Sequence, residues 1–116
     1  MYKEGCIFCD IVSGKIPADI VISGQRCIGI RDIHPQAPEH VLFIPREHIE
    51  KIRALSSEHL LALGEIFQLI SAYMEGQAYD KRGYRVVFNE GPDAGRSIDH
   101  IHFHVLAGRP LAWPPG

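Results

Sequence analysis

A short segment near the end of the chain alternates histidine with apolar side chains, in the order HIHFHVL from His100 to Leu106. Successive side chains of a β-strand point to opposite faces of its sheet, so all three histidines fall on one face. The alternation predicts a strand over residues 99–106. Such a strand needs neighbours to pair with and a second layer to cover its apolar face, which excludes an all-helical fold. The residues predicted to face the core are Ile101, Phe103 and Val105.

The remaining sequence predicts one α+β domain over residues 1–116, with a five-stranded antiparallel sheet, one long helix and a short N-terminal helix. The run at 40–44 is apolar on both faces, which is typical of a central strand. The long helix is predicted over 56–79, with Ser56 or Ser57 as N-cap. The other strands are predicted at 19–23, 27–31 and 84–88. The buried stripe of the helix is predicted to be Leu60, Leu63, Phe67, Ile70 and Met74.

Charge and cysteine content limit the partners of this domain. Twelve basic and 14 acidic residues among 116 give a net charge of −2, so no broad basic surface is offered to nucleic acid or membrane. This net charge is still compatible with a local pocket that binds one small anion. No apolar stretch reaches the roughly 18 residues of a membrane span, and no secretory signal is recognised. Three cysteines do not suit a disulfide framework, so we expect a cytoplasmic protein.

The three aligned imidazoles admit three interpretations. They could lie on a solvated sheet face, chelate a metal ion, or supply a nucleophile and two residues that position it. The preceding loop, residues 89–97, contains Gly91 and Gly95, and glycine lets backbone N–H groups approach an anion closely. Asn89 and Ser97 add neutral donors, which suit a phosphate that gains charge in a transition state. Taken alone, the same segment is equally typical of an ordinary loop.

Two cysteines, Cys6 and Cys9, form a CxxC pair near the N-terminus. Such a pair supplies half of a structural zinc site. The alternative is a reduced, metal-free pair of thiols. Cys27 lies in a predicted strand and is expected to be a small buried hydrophobic residue. The histidines that could complete a zinc site are His34, His40, His48, His59 and His100.

Over essentially its whole length the chain resembles the histidine triad (HIT) superfamily. The segment from His100 to Leu106 resembles the superfamily signature His-φ-His-φ-His-φ-φ, in which φ is apolar. The tail WPPG at 113–116 resembles the Hint branch, the histidine-triad nucleotide-binding proteins. This resemblance implies the HIT-like fold. The other matching blocks are CIFC at 6–9, IP at 16–17, DIHPQAP at 32–38, HVLFIP at 40–45 and NEG at 89–91.

Hint proteins are homodimeric hydrolases of purine nucleoside 5′-phosphoramidates, so the resemblance implies cleavage of the P–N bond in AMP-amines or aminoacyl-adenylate-type substrates. His102 matches the nucleophile, which would form a nucleotidyl-histidine that water hydrolyses. Asn89, Ser97 and His104 match residues that contact the phosphate, and Ser97 also matches a donor to the departing amine. Gly95 belongs to the same phosphate-binding loop. An AMP-like or GMP-like nucleotide is the implied ligand, with no organic cofactor.

The resemblance also implies where the nucleoside binds. Asp32 matches the carboxylate that accepts the ribose hydroxyls. An apolar slot would hold the base, although all its members except Ile33 could equally serve core packing. The residues of this slot are Phe8, Ile11, Ile30, Ile33 and Leu42.

HIT proteins of the bacterial type that carry the CxxC pair complete a structural zinc site with two histidines, which match His48 and His100. His40 matches a histidine that in many Hint proteins joins a relay with the first triad histidine. It is therefore expected to take part in catalysis beside His100 and the zinc ligands, with a purely structural role as the alternative. If His100 binds zinc, the metal fixes the start of the histidine strand.

Two other functions remain open for this sequence. A nucleotide-binding regulator or adaptor would keep the pocket but show little turnover. A zinc hydrolase would use the triad as metal ligands and would lose activity with its metal. Three charged residues outside the motifs, Glu47, Arg53 and Arg96, are expected to be solvated surface charges.

Overall fold

The computed structural model describes residues 2–116 and has two α-helices, three short 3₁₀ helices and five strands in that range. All strand pairs are antiparallel, and the order across the sheet is β1-β2-β3-β5-β4. The predicted α+β fold with a five-stranded antiparallel sheet is therefore confirmed. In residues 2–116 no helix is long and apolar enough to cross a membrane. In chain order the elements are α1 (Ile7–Val12), β1 (Ile20–Ser23), β2 (Cys27–Arg31), β3 (Glu39–Pro45), α2 (Leu60–Gly76), β4 (Arg85–Phe88) and β5 (Phe103–Ala107).

The two faces of the sheet carry separate hydrophobic cores. Strand β3 is buried along its whole length, as its position in the middle of the sheet requires. Helix α2 covers one face, where Phe43 and Val105 meet Ile66 and Met74. Helix α1 covers part of the other face, and the core residues there are Cys6, Phe8, Cys9, Ile28, Ile30, Leu42 and Ile44.

The long helix differs from its predicted form in length and in buried face. Residues Ser57–His59 form a 3₁₀ turn that Ser56 caps, so α2 itself covers only Leu60–Gly76. Leu60 is 63% exposed and Phe67 is 51% exposed, against expectation. Apolar side chains follow two overlapping stripes of this helix, and the sequence alone does not decide which of them meets the sheet. The buried residues are Ala62, Ile66, Ile70, Tyr73 and Met74.

The histidine strand begins later than predicted. Strand β5 starts at Phe103, which pairs with Phe43 of β3, and His100 and His102 lie outside the ladder. The next pairing position would fall near Pro45, which has no N–H to donate. The amide of Ile101 donates instead to the carbonyl of Ile49, at 2.8 Å. The first two triad histidines therefore leave the sheet and enter a buried environment.

Candidate active site and metal-ligand cluster

One cavity of about 690 Å³ is lined by the side chains that were predicted to bind a nucleotide. Its apolar wall comes from α1, β2 and β3, and its polar wall comes from the loop after β4 and from the triad segment. Ile33 is highly exposed at its edge. His34 and Arg96 also line the cavity, although neither was predicted to do so. The predicted residues that line it are Phe8, Ile11, Ile30, Asp32, Ile33, Leu42, Asn89, Gly95, Ser97, His102 and His104.

The imidazole of His102 is held by the backbone of the preceding histidine. Its Nδ1 lies 2.7 Å from the carbonyl oxygen of His100, and a carbonyl can only accept a hydrogen bond. The ring proton is therefore on Nδ1, and Nε2 carries the lone pair. Burial lowers the pKa of His102, and the nearby charge of Arg96 lowers it further, while the bond to the His100 carbonyl raises it. His102, which is 7% exposed, is thus a neutral imidazole near pH 7.

The imidazole of His104 is held by a second buried histidine. The backbone amide of Gln36 donates to His40 Nδ1 at 3.0 Å, so the proton of His40 is on Nε2. That Nε2 lies 3.0 Å from His104 Nδ1 and 3.3 Å from Asp32 Oδ2. When it donates to His104 Nδ1, His104 must carry its own proton on Nε2. Burial lowers the pKa of His104 to about 4 and also lowers that of His40.

His40 thus hydrogen-bonds to the third triad histidine and not to His100, beside which the resemblance placed it. The side chains of Asp32, His40 and His104 are close enough to ligate a metal ion. A metal on His40 Nε2 would, however, need the ring proton on Nδ1, where it would meet the N–H of Gln36. The hydrogen bonds favour a chain of neutral imidazoles at this place over a metal site.

His100 joins the cysteine pair and His48 in a buried cluster. Its Nε2 lies 2.9 Å from the carbonyl of Pro45, so this nitrogen donates and Nδ1 keeps its lone pair. That Nδ1 is 3.3 Å from the sulfur of Cys6, 3.7 Å from that of Cys9 and 3.2 Å from His48 Nδ1. Bonds of about 2.05 Å to nitrogen and about 2.3 Å to sulfur put tetrahedral ligands about 3.3–3.8 Å apart.

The electrostatics of this cluster also suit a cation. Burial lowers the pKa of His48 and lowers that of His100 to about 4, so both rings are neutral ligands near pH 7. Burial raises the pKa of the Cys9 thiol. His48 Nε2 is buried and has no hydrogen-bond partner among residues 2–116. Only the Nδ1 atom of this ring therefore points at the other residues of the cluster. The four residues could hold a metal ion.

The three triad histidines therefore have three separate environments. His100 belongs to the cysteine cluster, His102 bonds to a carbonyl, and His104 pairs with His40. In the described part of the chain, neither group of potential metal ligands includes His102. This separation argues against a hydrolase that uses the whole triad as zinc ligands.

The prediction for one charged residue of the cavity wall is wrong. Arg96 was expected to be solvated, but its side chain is only 4% exposed and pairs with Glu90 at 3.1 Å. It also donates to the carbonyls of Ile98 and Glu50. A single arginine in a glycine-rich loop carries no sequence signal for such contacts, because its partner Glu50 is 46 positions away.

Comparison with known proteins places the chain in a family. The family model described as HIT domain matches residues 13–111. An uncharacterized HIT-like protein of Synechococcus elongatus is 42% identical over 114 residues, which cover 98% of this chain and 99% of that protein. The chain therefore belongs to the HIT domain family.

Two solved structures are similar as well. A HIT family hydrolase from Legionella pneumophila has a TM-score of 0.93 and 38% identity, covering 97% of this chain and 100% of that one. A histidine triad nucleotide-binding protein from Candida albicans has a TM-score of 0.81 and 30% identity, covering 95% of this chain and 83% of that one. The likeness thus extends over nearly the whole fold.

Proposed function

We propose that this chain is a Hint-type nucleoside phosphoramidate hydrolase that acts through a covalent nucleotidyl intermediate on His102. The observation that carries the proposal is the 2.7 Å hydrogen bond from His102 Nδ1 to the carbonyl of His100. It leaves Nε2 of a buried, neutral imidazole as the lone-pair atom in a residue that lines the cavity. Membership of the HIT family supports the proposal, as do the words hydrolase and nucleotide-binding in the names of the two structural relatives.

The cavity suits one mononucleotide. Apolar side chains of Phe8, Ile30 and Leu42 offer the base a slot on one side, and Asp32 offers a carboxylate to the ribose hydroxyls. Asp32 already accepts the His34 amide through Oδ1, at 2.8 Å, which fixes the orientation of the carboxylate. The phosphate would then lie among the imidazole of His102 and the donors of the loop after β4.

The proposed reaction has two displacements at phosphorus. Nε2 of His102 attacks the α-phosphorus, a new N–P bond forms, and the bond to the amine breaks. The imidazole ring becomes cationic, and the carbonyl of His100 stabilises it by accepting the Nδ1–H. Water then attacks the same phosphorus and releases the nucleoside monophosphate, which restores the neutral ring.

Two donors would complete the phosphate site. His104 with its proton on Nε2 donates to a phosphate oxygen as charge grows there. The hydroxyl of Ser97 gives its proton to the departing nitrogen, since an amine leaves far more readily than an amide anion, and it recovers a proton from the water that attacks in the second displacement. Both residues line the same cavity as His102.

The decisive experiment is mass spectrometry of protein quenched during turnover of adenosine 5′-monophosphoramidate. An AMP adduct on His102 is the expected result. His102→Ala should lose both the adduct and at least about 10³-fold in kcat. The matched control is His59→Ala, a histidine outside the cavity lining, which should keep both.

Other outcomes would select other functions. Wild-type turnover by His102→Ala would contradict the assignment of the nucleophile. Tight AMP binding without P–N cleavage by the wild type would instead indicate the regulator or adaptor.

We propose zinc as the metal of the cluster formed by Cys6, Cys9, His48 and His100. Two thiolates balance the charge of Zn²⁺, and a full set of four protein ligands is typical of a structural site. The ion would crosslink the start of α1, the segment after β3 and the triad segment. His100 would thereby be fixed, together with the carbonyl that orients His102.

The free, buried thiols of Cys6, Cys9 and Cys27 support a reducing, cytoplasmic location.

We propose that two copies of the chain form a homodimer through α2. Three large apolar side chains of this helix are exposed: Leu60, Leu61 and Phe67, of which Phe67 also packs edge-on against Phe103. A two-fold dimer would bury the same patch on both subunits.

A further inference from the structure

The cavity loop, residues 89–98, is fastened by an ion pair between a buried arginine side chain and a more exposed glutamate. Arg96 Nη1 lies 3.1 Å from Glu90 Oε1, so the pair joins the beginning of the loop to its end. Arg96 Nε donates to the carbonyl of Ile98 at 2.8 Å. With a side chain only 4% exposed, Arg96 is held inside the loop and does not extend into solvent.

The same pair binds the loop to a brace, which we define as residues 49–52. Arg96 Nη2 donates to the carbonyl of Glu50, and Glu90 Oε1 accepts the amide of Ile52 at 2.9 Å. The two side chains thus connect the loop to the brace at two points.

The brace also holds the triad segment. The carbonyl of Ile49 accepts the amide of Ile101 at 2.8 Å, and Ile101 lies between His100 and His102. The loop that carries Ser97 and the segment that carries His102 are therefore bound to one short stretch of chain.

The backbone of the loop provides little order of its own. Gly91 has a φ of 83° and Gly95 a φ of 87°, values that glycine adopts at low cost. Between β4 and β5 no residue pairs in the sheet, and a single 3₁₀ turn covers Pro92–Ala94. Its backbone hydrogen bonds, from the amides of Gly95 and Arg96 to the carbonyls of Pro92 and Gly91, stay inside the loop, so the side chains of Arg96 and Glu90 are what join it to the brace.

We propose that Arg96, held by Glu90, is a positioning residue that fixes Ser97 and the loop amides relative to the nucleophile His102. This inference rests on the proposed function for its kinetic test. A displacement of about 1 Å between reacting groups can reduce the rate about 100-fold. The planar guanidinium reaches three oxygens at once, whereas an ammonium is a point charge.

The test compares Arg96→Met, Arg96→Lys and Glu90→Ala with the control Arg53→Met, which changes an exposed arginine next to the brace. For adenosine 5′-monophosphoramidate we expect Arg96→Met to lower kcat about 30- to 100-fold with KM changed less than about threefold. Glu90→Ala should lower kcat in the same way, and the double variant should be no worse than the worse single variant. Arg96→Lys should recover only part of kcat, and Arg53→Met should behave as wild type.

Amide hydrogen exchange supplies a readout independent of turnover. The hydrogen-bonded amides of residues 95 and 96 in this loop should exchange at least about tenfold faster in Arg96→Met and Glu90→Ala, while α2 and β3 keep wild-type protection. Wild-type exchange in this loop together with wild-type kcat would overturn the inference. So would a large rise in KM for Arg96→Met with no effect of Glu90→Ala, because Arg96 would then bind the phosphate itself. Failure of the wild type to cleave P–N bonds would contradict the proposed function. The hydrogen-exchange result would still decide whether Arg96 fixes the loop.

Discussion

At the scale of single residues, one backbone group decides the tautomer of each buried histidine. The carbonyl of Pro45 accepts a hydrogen bond from Nε2–H of His100, and the carbonyl of His100 accepts one from Nδ1–H of His102. The amide of Gln36 donates to His40 and so leaves the proton of that ring on Nε2. Carbonyls and amides therefore divide the histidines into a metal-ligand candidate, a nucleophile candidate and a proton donor to His104.

The burial of His104 makes an acid-stability prediction. Its folded pKa is about 4, below the ordinary value of 6.5, so only the unfolded chain binds this proton between those pH values. Stability contributed by the neutral ring is present above pH 6.5 and is lost as the pH falls toward 4.

His104→Asn should remove this contribution. Its free energy of unfolding should depend less steeply on pH in that window, by about 0.5–1 kcal/mol per pH unit once solvent screening of a partly buried ring is allowed for. Urea denaturation at closely spaced pH values measures the slope. Parallel curves for wild type and variant would contradict the prediction.

At the scale of elements, a glutamate on α2 fastens the β1–β2 hairpin to the helix. Glu65 Oε2 accepts the amide of Arg26 at 2.8 Å, and the amide and thiol of Cys27, each at 3.1 Å. Burial would raise the pKa of Glu65, but these hydrogen bonds lower it. The carboxylate also lies where a side chain at Gly24 would point, so a larger residue in the turn would have to displace Glu65 from these hydrogen bonds.

Glu65→Ala should therefore destabilise the fold by about 2–3 kcal/mol, because two buried or partly buried donors lose a charged acceptor. Glu75→Ala, an exposed glutamate on the same helix, is the matched control and should change stability by less than about 0.5 kcal/mol. Chemical denaturation gives both values. Equal effects of the two substitutions would show that the hairpin contact contributes nothing specific.

Periodicity predicted the type of each element better than its ends or its buried face. Period-two alternation identified the strand at the triad, but Pro45 and Ile49, which end its pairing, are distant in sequence. In α2, spacings of three and four fit two stripes, and only the sheet selects the one that contains Ile66.

At the scale of the whole molecule, metal removal should affect stability more than chemistry. A chelator should lower the melting temperature by about 10 °C or more, since the cluster joins three distant parts of the chain. The kcat at 25 °C should fall much less, because no chemical step passes through the metal.

Calorimetry and turnover on the same chelated sample measure both effects, and readdition of Zn²⁺ should restore the melting temperature. Metal analysis that finds no zinc in purified protein would remove the zinc proposal. Loss of turnover at an unchanged melting temperature would favour a catalytic metal instead.

The exposed face of α2 makes a prediction about assembly. Light scattering should give twice the 13.0 kDa mass of the chain for the wild type. Leu61→Asp should shift the population to monomer, because the dimer would then have to bury a charge in its apolar patch. The exposed Lys81→Asp, which adds an acidic residue outside the helix, should stay dimeric. A monomeric wild type would contradict the proposal.

The sequence by itself predicted the α+β fold with its five-stranded sheet, and the family resemblance named the four residues of the cysteine–histidine cluster and most of the cavity lining, without His34 and Arg96. Local patterns carry this information, because strand alternation and short motifs need no distant partner. Only the tertiary structure decided which triad histidine meets His40, where the protons lie, and that Arg96 is buried. These properties depend on single hydrogen bonds to Gln36, Pro45 and Glu50, and only folding brings those groups next to their partners.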